Sequence, residues 1–139
     1  MEKKVYTWLA VLISAFIGGP FGGIYMLSQN YKTLGKDDLA KKWLLFGSLA
    51  IVGFLVVMSL LPASFTSPTA GAAASSAIAI GLGLTAKQKQ DKEIKEILAA
   101  GGRKQSVGKI IGINVLSILI TLVLTLVVTG IFALIGLNK

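Results

Sequence analysis

Cysteine and histidine are both missing from this chain. Their absence excludes disulfides, thiolate and imidazole nucleophiles, zinc centres and most transition-metal sites, and it leaves the redox compartment unreadable. Charge is scarce as well. Asp, Glu, Lys and Arg make up 14% of the residues, where a soluble domain carries about 25%. The only acids are Glu2, Asp37, Asp38, Asp91, Glu93 and Glu96, and all of them lie outside the long apolar runs. Proton relays, voltage sensors and most ion-coupled sites need ionisable groups at membrane depth, so a pump or proton-coupled transporter is disfavoured. Serines without a histidine partner form no triad, and Asp37-Asp38 reads as charge at a helix start rather than a metal clamp. No catalytic residue, metal ligand or cofactor is expected.

Hydrophobic residues make up 54% of the chain, and the mean hydropathy is +0.77. They collect in four uncharged segments, at about 5–27, 43–61, 69–86 and 110–137, within a single domain of residues 1–139. About 20 apolar residues cross a hydrocarbon core as a helix. The first and last segments exceed that and the second meets it. The third, "TAGAAASSAIAIGLGLTA", is marginal because its residues are small. The expected fold is all-α: a polytopic helical membrane protein of three to four membrane helices, with a broken or re-entrant first segment. The basic start "MEKK" before "VYTWLAVLISAFI" imitates a signal peptide, but no small-x-small cleavage site follows, so retention is expected.

The boundaries between segments carry their own signals. Gly35 reads as a helix stop, and Asp37 as the N-cap of a helix that enters the membrane through Trp43 and ends at Pro62. "LPASFTSPTAG" is a short uncharged turn, in which Ser67-Pro68 reads as an N-cap followed by proline at the first helical position. The third helix should outrun the membrane as far as Ala100, supported by Asp91–Lys95, Lys89–Glu93 and Lys92–Glu96 pairs, and stop at Gly101-Gly102. Ser106 then caps the last helix.

Net charge is +8. Because the basic residues flank apolar segments, anionic lipid head groups account for them better than nucleic acid does, and no nucleic-acid partner is expected. Lys41, Lys42, Trp43, Arg103 and Lys104 are the candidate contacts to head groups or to a partner protein. The two basic connections, residues 28–42 and 87–109, belong in the cytoplasm by the positive-inside rule. The side of the N-terminus depends on "AFIGGPFGGIY". If that stretch kinks a spanning helix, eleven of the fourteen basic residues lie inside; if it reverses a shallow hairpin, thirteen do. The hairpin scores better on charge. The second leg, however, turns polar at Ser28, and non-helical backbone at membrane depth needs protein or a water-filled cavity around it. That tips the reading toward a kinked helix that still spans.

Three motifs stand out. Gly18, Gly19, Pro20, Gly22 and Gly23 form a helix break. No lysine-hydroxyl pair follows them, so they are not a phosphate loop. Gly71, Ser75, Ala79 and Gly83 recur every four residues, as in membrane helices that approach closely. Ser117, Thr121, Thr125 and Thr129 form a hydroxyl stripe, with Asn114 one turn earlier in need of an interhelical partner. "FIGGPFGGIYMLSQNYKTLGKDDLAKKWLLFG" with "EILAAGGRKQSVGKIIGI" resembles a group of small bacterial integral membrane proteins of no assigned activity. They share a GGPxxG turn, an NYxxLG segment and a GGxxxS motif before the final helix. The resemblance implies a bacterial envelope location. The expected role is non-catalytic: an accessory or scaffold subunit of the bacterial inner membrane, associating with itself as a homo-oligomer or with a partner membrane protein. A small pore, uncoupled channel or holin-like permeabiliser is the second reading, and a lipid-acting enzyme the weakest.

Overall fold

The structure is a computed structural model and describes residues 2–62 and 67–136. Its elements in chain order are β1 (Lys4–Val5), α1 (Trp8–Ile17), α2 (Pro20–Thr33), α3 (Asp37–Leu60), α4 (Pro68–Ala99), β2 (Arg103–Lys104) and α5 (Val107–Leu134). Three of them, α3, α4 and α5, are long and apolar enough to cross a membrane. The chain is therefore an all-α, multi-pass helical membrane protein. Its long helices turn large apolar side chains outward, among them Phe46 and Leu126, both 64% exposed. Such a surface would aggregate in water and is solvated in lipid.

The first apolar segment does not span. At ten residues, α1 is about 15 Å long, half of a ~30 Å hydrocarbon core. Gly18 caps α1 and Gly19 takes φ 81°, a left-handed value that side chains resist. Pro20 then opens α2 at its first position, where no amide hydrogen is needed. The two helices run antiparallel, so their outer ends meet: the Tyr6 amide donates to Asn30 Oδ1 at 2.8 Å, and Asn30 Nδ2 donates to the Tyr6 carbonyl at 2.8 Å. This corrects the expectation of a kinked but spanning helix. The polar second leg that argued against a hairpin is satisfied inside the protein. Ser28 Oγ donates to the Ala40 carbonyl at 2.9 Å, and Asn30 is fully buried.

Several boundaries follow from local chemistry. Gly35 and Gly101 both have positive φ, and each closes a helix with the paired backbone bonds of a Schellman end. The Lys36 amide donates to the Tyr31 carbonyl, and the Gly102 amide to the Ile97 carbonyl, at 2.8 and 2.9 Å. Ser67 and Ser106 cap α4 and α5, accepting from the amides of Ala70 and Lys109. Asp37 is not an N-cap. Lys36 holds that position without a capping bond from its side chain, and Asp37 and Asp38 lie in the first turn of α3. The residue is shared: the Lys36 amide closes α2 while its carbonyl accepts from Ala40 to open α3. The two carboxylates still face the positive end of the helix.

β1 and β2 pair in parallel, Lys4 with Arg103 and Val5 with Lys104. This ties the N-terminus to the α4–α5 connection. Lys36 pairs with Glu93 at 2.5 Å, tying the α2–α3 connection to the same end. Asp91 and Lys95 form the expected pair at 2.6 Å, whereas Glu93 reaches Lys36 rather than Lys89. The Lys87 ammonium sits 5.0 Å from the centre of the Trp8 ring, a cation–π contact. Every charged side chain among the described residues thus belongs to one end of the molecule. The core sits at that end too. α2 packs against each of the other four helices, and Met26, Leu27, Val11 and Ala86 are almost completely buried around it.

Candidate functional site

The hairpin is held by two polar seats, one at its tip and one at its base. At the tip, Ser14 Oγ donates to Asn114 Oδ1 on α5, and both residues are buried. The backbones come close here. A Cβ on Gly18 would lie 2.6 Å from Asn114 Oδ1 and 2.9 Å from Asn114 Cα; one on Gly22 would lie 2.7 Å from Ser14 Oγ. Gly23 faces Ala15 and Leu82 in the same way. The break glycines therefore have two tasks: Gly19 makes the turn, and Gly18, Gly22 and Gly23 let α1, α4 and α5 approach. Thr121 is the nearest side chain to a Cβ on Gly19, at 3.7 Å.

Along α5 the hydroxyls mostly serve their own helix. Thr121 Oγ1 donates to the Ser117 carbonyl at 2.9 Å and Thr125 Oγ1 to the Thr121 carbonyl at 2.8 Å. Ser117 is buried, and its hydroxyl has no partner among the described residues. Above the tip, an open cleft of about 420 Å³ lies between α4 and α5. Ser75, Thr121 and Thr125 contribute its hydroxyls, and Phe16 and Pro20 part of its floor.

At the base, Asn30 and Gln90 form a clamp. Asn30 Nδ2 also donates to Gln90 Oε1 at 3.0 Å, and Gln90 Nε2 donates to the Leu27 carbonyl at 3.0 Å. Both residues are almost fully buried. Asn30, Gln90 and Ser14 are the site residues that sequence reasoning missed. Gln90 had a readable signal: Ala79, Gly83, Ala86, Gln90 and Ile94 recur at three- and four-residue steps, so this glutamine stands on the apolar stripe of an otherwise charged segment.

The small-residue stripe of α4 divides in two. Ala79 and Gly83 are buried, and Leu12 of α1 rests on Gly83, 2.7 Å from where a Cβ would be. Ser75 is exposed at the cleft, and a Cβ on Gly71 would meet nothing within 4 Å. Lys41 and Lys42 are exposed in the second turn of α3, and Trp43 packs partly against the core. Arg103 and Lys104 form β2, with Arg103 paired to Glu2 at 2.7 Å. Thus the structure brings the break glycines together with Asn114, Ser117 and Thr121, and leaves Gly71 and the basic residues apart from them. The end of the last apolar segment, residue 137, lies outside the described residues, as does most of the uncharged turn before Ser67.

A second cavity, of about 470 Å³, lies between α2, α3 and α5. Its lining is apolar except for Tyr25, Ser48, Lys109 and Ser117. Among the described residues, no group of three or more acidic side chains could hold a metal ion. The geometry defines a class, a multi-pass membrane protein built on a re-entrant hairpin that is buried on one face and exposed along Leu9, Ile13 and Ile17 on the other. No family model matches the chain, nor does any curated protein or solved structure.

Proposed function

We propose that this protein is a non-catalytic scaffold subunit of the bacterial inner membrane, which associates with itself or with a partner membrane protein along the outer half of α4. One observation carries the reading. The four-residue repeat of small side chains seats α1 at Ala79 and Gly83, then continues past the hairpin tip to Gly71, where a Cβ would meet nothing within 4 Å among the described residues. In lipid there is little hydrophobic drive between helices, and small faces associate by close packing. The same chemistry that accepts α1 below the tip suits another helix above it. The inner-membrane assignment rests on the bacterial resemblance of the motifs, and the positive-inside rule puts the charged end in the cytoplasm.

The chain has no cysteine of its own, so single probes test this directly. Ala72→Cys, oxidised in native membranes, should give a disulfide dimer or a crosslink to a partner, while Val123→Cys on α5 should not. A strictly monomeric protein that yields no adduct at residue 72 would overturn the proposal. The cleft over the hairpin tip favours a pore as the second reading, since Thr121 and Thr125 line it. Dye release from liposomes that falls in Asn114→Leu and Thr121→Val would support a pore; an absence of release would remove it.

A further inference from the structure

The cavity between α2, α3 and α5 is shaped and charged for one amphiphile. On α5 its lining runs from Lys109 to Ile120, about 16 Å at 1.5 Å per residue. That matches one leaflet of a ~30 Å hydrocarbon core. Lys109 stands at the charged end of the molecule. Ile120 adjoins Thr121, which is level with the hairpin tip. The walls between are Phe21, Leu44, Ile113 and Leu116. Leu44 and Leu116 are 42% and 58% exposed, so the cavity opens sideways, where lipid lies. A head group would meet positive charge only. Lys109 forms no ion pair among the described residues, and no acidic side chain lines the cavity. The first turn of α5 also carries no acid to neutralise the helix's positive end.

We propose that this groove binds one anionic glycerophospholipid, with an acyl chain between α3 and α5 and its phosphate on Lys109. The proposal is independent of the scaffold reading, which concerns α4. Gly112 supplies the decisive variant. It lines the groove, and a Cβ there would meet nothing within 4 Å. Gly112→Leu therefore projects into the groove from a position with room for its Cβ, and a melting temperature no lower than the wild type's checks that the fold is kept.

The test is native mass spectrometry of the purified full chain in detergent, with phosphatidylglycerol and phosphatidylcholine of identical chains. The expected result is one phosphatidylglycerol per chain, retained about fivefold over phosphatidylcholine, the worth of one lysine near an anionic surface. Lys109→Gln should abolish the preference, and Gly112→Leu should lose both lipids. Lys89→Gln, on the exposed extension of α4, should change neither. Equal retention of the two lipids by the wild type would overturn the proposal, as would wild-type retention by Gly112→Leu. So would a wild-type dimer that Gly112→Leu dissociates, because the groove would then hold a second copy.

Discussion

Gly18 and Asn114 show how a break in helical backbone is tolerated at membrane depth. Gly18 is buried against α5, Gly19 and Pro20 are half-buried at the cleft, and the polar side chain beside the turn has a partner in Ser14. The closeness is specific to glycine. Gly18→Ala places a methyl 2.9 Å from the Asn114 Cα, where backbone cannot yield, and should cost about 1–3 kcal/mol of stability. Gly112→Ala meets open space and should stabilise by up to about 1 kcal/mol through helix propensity. Thermal unfolding in bicelles measures both, and equal effects would refute the packing described. Ser14→Ala should cost only about 0.6 kcal/mol, the average for interhelical hydrogen bonds in membranes. Ser117→Ala removes a buried hydroxyl with no partner among the described residues and should be neutral or stabilising, because no hydrogen bond is lost.

At the scale of elements, the α1–α2 hairpin depends on its base more than on its tip. Asn30 satisfies the Tyr6 amide, the Tyr6 carbonyl and Gln90 together. Asn30→Leu leaves those groups buried and unpaired, and should cost about 3 kcal/mol or more, well above Ser14→Ala in the same assay. A ranking in which Ser14→Ala costs more would show that the tip holds the hairpin. The long helices were legible in the sequence because length, uncharged runs and caps are local signals. Gly35, Ser67, Pro68 and Ser106 act where their neighbours say they should. The hairpin was not legible. Ser28 and Asn30 look like a helix leaving the membrane until Ala40 and Gln90 are known to meet them, and Gln90 is 60 residues away. Glu93 likewise serves Lys36 instead of its helical neighbour, a choice only the tertiary fold decides. Asn114's need for a partner was readable from its chemistry, whereas the identity of that partner, Ser14, depended on the turn.

The whole molecule is uneven along the membrane normal. The charged end is packed, with α2 surrounded by four helices and the connections tied by β1–β2 pairing and the Lys36–Glu93 ion pair. Beyond the hairpin tip, α3 and α5 continue with exposed large apolar side chains such as Val57, Leu60 and Leu126, and α4 continues with small ones. That asymmetry follows from one feature, a first segment that enters and returns to the same side. The most direct test is labelling of single cysteines with a membrane-impermeant maleimide, in intact spheroplasts and in inverted vesicles. Glu2→Cys and Gln105→Cys should label only in inverted vesicles, and Pro62→Cys only in spheroplasts. If Glu2→Cys instead labelled on the same side as Pro62→Cys, the first segment would span the membrane and the hairpin would be refuted.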